Sequence, residues 1–202
     1  MELEDPIFNA LYTYTKALSV ALGYRDLLTR LHSERVQGLS KEIALRCGLS
    51  KNEINALSIA ATFHDIGKIG IPDHILLKPS QLDEAEWEEM KRHSEIGEKI
   101  IASTELEGSR QAARLIRHHH EHYNGMGYPD KLSGGNIPIC SRIITIADSY
   151  DAMAVTRAYQ NARTHPEIMA ILHEQTGEKH DPELMRVFCE IIESSEFKAA
   201  KL

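Results

Sequence analysis

Histidine and aspartate side chains recur in five short segments of this 202-residue chain, and they constrain its fold more than any other feature. Imidazole and carboxylate groups are the usual protein ligands of divalent transition metals in hydrolytic sites. A fold that gathered all five segments would offer more ligands than one metal takes from protein, which favours a two-metal centre and phosphate chemistry. The segments are HSERV, HDIGK, KRHSEIG, HHEHYNGMGYP and TIADSYDAM. The candidate ligands in them are His32, His64, Asp65, His93, His119, His120 and Asp148.

Two pairs of candidate ligands are adjacent in sequence. Side chains of adjacent residues on a continuous helix point about 100° apart. The pair His64-Asp65 stands where Gly67 favours a helix end, so both side chains could turn into one cavity. The pair His119-His120 lies in a stretch, residues 110–122, that reads as helical. Both of its rings could reach one cluster if two metals lay side by side, about 3.5–4 Å apart.

Asp151 follows Asp148 by three residues, so the two carboxylates share a helix face. One of them could ligate a metal while the other orients a ligand or contacts substrate. Histidines outside the five segments show no such clustering, and we expect them at the surface. They are His74, His165, His173 and His180.

Apolar residues recur at helical spacing along nearly the whole chain, and no stretch of useful length alternates as a strand would. Loops are expected at residues 67–80 and 124–138. The pattern predicts an all-α multi-helix bundle with a dinuclear metal site in its interior. Helix starts are marked by Ser50–Glu53, Asp83–Glu86, Thr164–Glu167 and Asp181-Pro182.

The net charge is −7, from 23 Lys and Arg against 30 Asp and Glu. The absence of a long basic run argues against a DNA or RNA partner, whereas a small anionic ligand is allowed because bound metals supply positive charge. The chain opens with no basic-then-apolar leader, and no apolar run approaches the ~20 residues of a membrane helix. The three cysteines form no CxxC pair. We therefore expect a soluble, cytoplasmic protein with no membrane contact.

The combined motifs closely resemble the HD-GYP family, a branch of the HD-domain metal-dependent phosphohydrolases. HDIGK, residues 64–68, matches the motif that names the superfamily, and residues 119–129 match HHExxDGxGYP at every specified position but one. The resemblance runs from about Tyr24 to about Leu184 and implies an HD-type bundle. It divides the chain into a helix in residues 1–24, which serves as a linker stub, a dimerisation helix or a core cover, and a phosphohydrolase domain in residues 25–202.

The resemblance implies that two divalent transition metal ions, iron or manganese, are bound as cofactors. Asp65 would bridge them. One ion would be ligated by His93, His119 and His120, and the other by His32, His64 and Asp148. The implied catalytic residues are Asp65 and Lys68, and the implied substrate contacts are Lys68, Gly127, Tyr128, Asp151 and Arg157.

Four positions depart from the family pattern: Leu28, Asn124, Ala158 and Gln160. Some members carry a metal-binding Glu where this chain has Leu28, so we expect two metals rather than three. Asn124 replaces an Asp but keeps the turn-forming side chain, so the loop geometry should survive. Ala158 replaces a Pro and should loosen its turn. Gln160 replaces a cation, which would weaken dinucleotide binding by roughly 1–2 kcal/mol.

The activity that the resemblance implies is a metal-dependent cyclic di-GMP phosphodiesterase in bacterial second-messenger signalling. It would cut a 3′–5′ phosphodiester to give pGpG and, after a second cut, GMP; some members cleave a related cyclic GMP-AMP. The alternative is a metal-loaded effector that binds a cyclic dinucleotide or a protein partner with little turnover, motivated by Asn124, Ala158 and Gln160. A phosphohydrolase of ordinary nucleotides is disfavoured by the Gly-Tyr-Pro segment. A homodimer or a signalling-protein partner is compatible with either main reading.

Overall fold

The computed structural model describes residues 6–25, 28–155 and 162–199, and these ranges are helical with no β-strand. The predicted all-α fold is therefore confirmed. Two short 3-10 turns cover Ile66–Gly70 and Gly134–Asn136. The α-helices are α1 (Pro6–Arg25), α2 (Leu28–Arg46), α3 (Lys51–Phe63), α4 (Asp73–Leu76), α5 (Glu84–Lys91), α6 (His93–Ala102), α7 (Ser109–Arg117), α8 (Ile139–Ala154), α9 (His165–Glu174) and α10 (Pro182–Ile192).

The helix starts predicted from capping signals are confirmed. At α3 the Glu53 N–H donates to Ser50 Oγ at 3.4 Å, and the Ser50 N–H donates back to Glu53 Oε2 at 2.9 Å. The same reciprocal pair joins Asp83 and Glu86 at α5, with distances of 2.9 and 2.8 Å. Each box satisfies backbone donors that have no partner inside the helix, which fixes where the helix begins.

The core is centred on α3 and α8, whose apolar faces are fully buried. Both helices pack against α2, and α3 also packs against α7. Each buried Leu or Ile side chain contributes about 1.5–3 kcal/mol relative to an exposed one. The ligand-bearing helices α2 and α8 are therefore held in place by this core. The residues at zero exposure on these two helices include Ala56, Leu57, Ile59, Ala60, Ala61, Ile143, Ile144, Ile146 and Ala147.

The prediction of a helix across residues 110–122 was wrong at its end, because α7 stops at Arg117. His118 already leaves the helix, with φ −102° and ψ 10°. The end is fixed by α8, since Thr145 Oγ1 donates to the His119 carbonyl at 2.7 Å and Ser141 Oγ to the Leu115 carbonyl at 2.9 Å. Residues 118–120 form a turn, so the two adjacent histidines are not bound by helical directions.

The loop predicted after HDIGK also contains more structure than expected. It begins with the 3-10 turn Ile66–Gly70 and continues into the short helix α4. Gly67 lies against the first turn of α6: a Cβ on Gly67 would come within 1.8 Å of the His93 carbonyl oxygen and 2.6 Å of Gly97 N. Only a glycine permits this approach, which brings the HD pair next to the start of α6.

Two of the four histidines expected at the surface are buried. His165 is held between Tyr150 and Glu193, with its Nδ1 2.7 Å from the Tyr150 hydroxyl and its Nε2 2.9 Å from Glu193 Oε1. His180 is also buried, and its Nε2 lies 3.2 Å from Gln175 Oε1. His74 and His173 are exposed, as predicted.

Helix α1 packs on the same core as the rest of the bundle. Leu11 and Thr15 are fully buried, and the Tyr12 ring lies 5.9 Å from the Phe63 ring of α3. Of the three roles left open for this helix, these contacts favour a cover for the core. Within the described ranges, every helix is too short or too polar to cross a membrane.

Candidate metal centre

The seven predicted ligands converge from five parts of the fold on one buried site. His32 comes from α2, the pair His64-Asp65 directly follows α3, and His93 opens α6. The pair His119-His120 lies in the turn after α7, and Asp148 lies on α8. Six of them form two groups in which one ligand atom of each residue lies within 4.8 Å of the others. The groups are His93, His119 and His120, and His32, His64 and Asp148, the same division that the resemblance implied.

Asp65 stands between the two groups, with one carboxylate oxygen toward each. Its Oδ1 lies 3.6 Å from His93 Nε2, and its Oδ2 lies 3.5 Å from His64 Nε2. Ligands that share one ion at bond lengths near 2.0–2.2 Å lie about 3–3.5 Å apart. The backbone of Asp65, at φ −93° and ψ 3°, occupies the bridge region where many active-site residues are found. The carboxylate is therefore spaced to share a cation with each group.

Backbone carbonyls fix the orientation of three of the histidines. His64 Nδ1 lies 2.8 Å from the Ala61 oxygen, and His93 Nδ1 lies 2.8 Å from the Met90 oxygen. His119 Nδ1 lies 2.6 Å from the Ile116 oxygen. A carbonyl can only accept, so each Nδ1 carries a proton and each ring directs its Nε2 atom into the site. Such outer hydrogen bonds are what orient metal-binding histidines in proteins.

His32 is oriented by a carboxylate in place of a carbonyl. Its Nδ1 lies 2.7 Å from Asp151 Oδ2, while its Nε2 lies 3.1 Å from Asp148 Oδ1. Arg35 donates to both oxygens of Asp151, from Nε at 2.5 Å and from Nη2 at 2.9 Å. Asp151 was expected to contact substrate. Both of its oxygens are occupied within the protein, which favours a positioning role, and Arg35 is a residue that the sequence reasoning missed.

The surroundings of the site favour neutral rings at three histidines and an ionised carboxylate at Asp65. Burial lowers the pKa of His93, lowers that of His119 to about 3, and holds that of His120 well below its usual range. Burial would raise the pKa of Asp65, but the ammonium group of Lys68 outweighs this effect and holds that pKa well below its usual range. Metal ligands must be deprotonated, so these groups are ready to bind a cation at neutral pH.

His32 behaves differently from the other rings. Burial alone would lower its pKa, but hydrogen bonds to Asp148 and Asp151 raise it to about 9. A cation in this group would take the place of that proton between His32 and Asp148.

Two further observations show that the donor set fits a bound cation. The Nε2 atoms of His93 and His119 face each other at 3.4 Å, although the protons of both neutral rings are on Nδ1. His64 Nε2 is buried and makes no hydrogen bond. Unshared lone pairs in a dry interior are costly unless something electropositive binds them. The residues present therefore fit divalent metals.

Lys68 lies at the edge of this site, on the 3-10 turn that follows the HD pair. Its Nζ is 2.7 Å from Asp65 Oδ2, and its side chain is partly exposed. The turn hydrogen bond from the Lys68 N–H to the Asp65 carbonyl, at 3.0 Å, fixes this spacing. The ammonium group is thus next to both the carboxylate and the solvent side of the site.

The Gly-Tyr-Pro loop packs directly on the His119-His120 turn. A Cβ on Gly127 would lie 2.2 Å from His122 N and 2.5 Å from the His120 carbonyl oxygen, so no other residue fits there. The Tyr128 N–H donates to that carbonyl at 3.1 Å, and its ring centroid lies 4.9 Å from the His120 ring. Asn124 Oδ1 accepts from the Met126 N–H at 2.9 Å, so the predicted side-chain turn is present.

A polar network that the sequence reasoning missed holds this loop in place. The Glu121 carboxylate accepts from the Asp130 N–H at 2.7 Å and from the Leu132 N–H at 3.1 Å. Arg117 donates to both oxygens of Asp130 at 2.7 Å, and His118 Nε2 lies 2.9 Å from one of them. His118, Glu121 and Asp130 come close enough to bind a metal. The two carboxylates already have partners, however, because Arg117 donates to Asp130 and backbone N–H groups donate to Glu121.

Some sequence predictions fall outside the described residues. Arg157, Ala158 and Gln160 lie in residues 156–161, and the side chain of Leu28 is likewise outside the description. The predicted phosphate contact of Arg157 and the effects expected from the other three residues therefore stay predictions.

The chain matches known proteins over most of its length. A model of the HD domain family matches residues 18–184. A cyclic di-GMP phosphodiesterase of Thermotoga maritima is 38% identical over 190 residues, which cover 94% of this chain and 50% of that protein. The 3′3′-cGAMP-specific phosphodiesterase 2 of Vibrio cholerae serotype O1 is 36% identical over 173 residues, which cover 86% of this chain and 33% of that protein. The chain thus spans half or less of the length of these curated relatives.

The fold is also similar to that of a solved protein. Bd1817, an HDG"Y"P protein from Bdellovibrio bacteriovorus, aligns with a TM-score of 0.66 at 17% identity, over 93% of this chain and 61% of that chain. This likeness concerns the fold alone. The family match covers residues 18–184, and the long motif at residues 119–129 keeps the pattern that is typical of the HD-GYP branch. The chain belongs to the HD domain family.

Proposed function

We propose that this chain is a metal-dependent phosphodiesterase that hydrolyses a 3′–5′ phosphodiester of cyclic di-GMP to give pGpG, with GMP as the product of a second cut. The observation that carries the proposal is the position of Asp65, whose two oxygens face two separate groups of buried ligands. A carboxylate between two cations is the arrangement expected of a two-metal hydrolytic centre. The names of the two relatives, which act on cyclic di-GMP and on cGAMP, support the choice of substrate class.

The proposed cofactors are two divalent ions, iron or manganese. One would be held by His93, His119 and His120, the other by His32, His64 and Asp148, with Asp65 shared between them. When bound, such ions lower the pKa of water to about 7 and neutralise phosphoryl oxygens, so that hydrolysis needs no serine or cysteine nucleophile. Ligand type alone does not select between iron and manganese, because availability also decides which metal a site takes up.

The protein's own residues would bind and orient the substrate. Lys68 is partly exposed beside Asp65, so its ammonium group can donate a charge-assisted hydrogen bond to the scissile phosphate. Asp151 and Arg35 would keep the His32 ring in register. The Gly127-Tyr128 loop would line the substrate side of His120, and Arg157 would supply a second cation to the phosphates.

The proposed division of the chain follows from the same reading. Residues 25–202 would form the catalytic unit, and the helix in residues 1–24 would cover its core through Leu11 and Thr15. Because cyclic dinucleotides act as internal messengers, the proposed site of action is the cytoplasm, without DNA or RNA as a partner.

The test is turnover by protein of known metal content. The chain would be produced without oxygen in the presence of Fe²⁺ or Mn²⁺, its bound metal would be counted, and cyclic di-GMP and 3′3′-cGAMP would be supplied at equal concentration. We expect pGpG on chromatography, and the ratio of kcat/KM for the two dinucleotides identifies the preferred substrate. Asp65→Asn, which keeps the side-chain shape, should lose turnover. Calorimetric binding without turnover would support the effector alternative, and neither binding nor turnover by metal-loaded protein would refute the proposal.

A further inference from the structure

A continuous series of aromatic rings leads from the buried ligands to the outer surface. The rings of His119 and His120 lie 3.9 Å apart, and the His120 ring lies 4.9 Å from Tyr128 at an interplanar angle of 31°. Tyr128 in turn contacts Trp87 of α5, with centroids 6.3 Å apart at 84°. Exposure rises along the series, from 0% at His119 to 47% at Trp87. Trp87 therefore stands at the mouth of the candidate site, although no sequence motif includes it.

The geometry of the Trp87–Tyr128 pair leaves indole surface available. In an edge-to-face pair the rings do not stack, so Tyr128 covers at most one face of the indole. About half of the Trp87 surface is exposed, so the indole is accessible to a ligand from the solvent side. The residue is also firmly placed, because the Asp83–Glu86 capping box fixes the first turn of α5 just before it.

A cation accompanies this aromatic surface. Lys91 follows Trp87 by one helical turn, so the two share a face of α5. Its Nζ lies 5.8 Å from the centroid of the Tyr128 ring and is paired with Glu88 Oε1 at 2.5 Å. Because Glu88 balances this charge, the exposed indole is the feature that suits a ligand with an aromatic face.

We propose that Trp87 is a base-stacking residue of this enzyme: one purine of the cyclic dinucleotide packs on the indole while its phosphodiester reaches Lys68 at the edge of the metal site. This inference rests on the proposed function and adds to it a residue that sets substrate affinity. Every purine has a flat face that an exposed indole can stack on. Stacking of this kind strengthens binding without needing a specific hydrogen-bond pattern.

The test uses the fact that Trp87 is the only tryptophan of the chain. Metal-loaded protein would be mixed rapidly with cyclic di-GMP while its intrinsic fluorescence is recorded, and turnover would be followed in the same preparation. We expect quenching that saturates with cyclic di-GMP and no quenching with inorganic phosphate. Trp87→Leu and Trp87→Ala should raise KM by about 5- to 100-fold with kcat little changed, whereas Trp87→Phe, which retains an aromatic face, should stay within about threefold of wild type.

The outcomes separate this inference from the proposed function. Turnover of cyclic di-GMP without quenching, or an unchanged KM in Trp87→Leu, overturns the stacking role and leaves the phosphodiesterase intact. A lower kcat at unchanged KM also overturns it, because Trp87 would then only support Tyr128. No turnover by metal-loaded wild type, with no quenching, removes both. If Trp87→Ala fails to fold, the comparison of Phe with Leu and the wild-type fluorescence still decide.

Discussion

His32 and Asp151 are joined by a 2.7 Å hydrogen bond between the ring Nδ1 and the carboxylate Oδ2. Arg35, one turn after His32 on α2, donates to the same carboxylate at 2.5 and 2.9 Å. Asp148, one turn before Asp151 on α8, faces the other ring nitrogen at 3.1 Å. The contacts among these four residues, two on α2 and two on α8, therefore surround the His32 imidazole. Asp151 acts on the site through the ring that it orients.

Asp151→Asn should therefore weaken metal binding and leave substrate binding intact. The amide keeps the shape of the carboxylate but loses the charge that holds His32 and Arg35. Loss of such an outer partner typically costs about 10- to 100-fold in metal affinity or activity. Metal affinity by competition with a chelator, and KM and kcat at saturating metal, would check this.

Glu190→Gln provides a control for the loss of one negative charge, since Glu190 pairs with Arg46 and Arg186 at the partly exposed end of α10. This variant should leave the metal affinity, KM and kcat unchanged. A raised KM in Asp151→Asn protein with full metal occupancy would show instead that Asp151 contacts substrate.

The helix boundaries show which parts of the fold could be predicted from the sequence. Helix starts such as those at Ser50 and Asp83 were predictable because a capping box is local, lying within four residues of the chain. The end of α7 was not, because nothing in residues 110–122 breaks a helix and the stop is imposed by Thr145 of another helix. The burial of His165 has the same origin, since its partners Tyr150 and Glu193 come from distant segments.

The site divides in the same way. The ligand set could be recognised because its residue types and motifs are distinctive, and the structure groups six of them as the resemblance implied. Residues that hold the ligands in place have no such signal. Arg35 sits inside the HSERV segment and Glu121 inside the long motif, yet their partners, Asp151 and the N–H groups of Asp130 and Leu132, are known only from the fold.

Gly127→Ala should remove most of the proposed turnover while leaving most of the fold. A Cβ at this position would clash with the backbone at His120 and His122, which must move and carry the His120 ring with it. Overpacking of this kind costs about 1–3 kcal/mol of stability, and displacement of a ligand should lower kcat by about 100-fold. Turnover, metal content and thermal unfolding would be measured together.

Gly135→Ala is the matched control, because nothing lies within 4 Å of a Cβ built on Gly135 in the same long loop. That variant should keep wild-type turnover. Equal activity of the two variants would show that the close contact at Gly127 is not needed for the site.

Stability should depend on acid pH through Asp130. Hydrogen bonds from Arg117 overcome a burial effect in the opposite sense and, with His118, lower the pKa of Asp130 to about 2 from 3.8. A carboxylate whose pKa is lower in the folded state stabilises the protein above its unfolded pKa, and this contribution is lost as the pH falls from about 4 toward 2. The pair is partly exposed, so its full contribution should be below about 1 kcal/mol.

Urea unfolding of wild type and Asp130→Asn between pH 5 and pH 2.5, both treated with chelator, would measure this. Wild type should be the more stable protein at pH 5, and the difference should shrink as the pH falls. A difference that stays constant over this range would mean that the ionic pair with Arg117 does not hold the loop.

Removal of bound metal should lower the stability of the folded protein. Metal at a concentration 1,000 times its Kd adds about 4 kcal/mol to the free energy of unfolding, which for a chain of this size raises Tm by about 8–16 °C.

Single substitutions should remove one metal at a time. His119→Gln should lose one metal and Asp148→Asn the other, whereas Asp65→Ala should weaken the binding of both, because the Asp65 oxygens face both groups. His74→Gln, an exposed histidine outside both groups, should keep two. Elemental analysis and calorimetry with and without chelator would measure these effects; loss of both metals in His119→Gln would indicate one cooperative cluster in place of two separable sites.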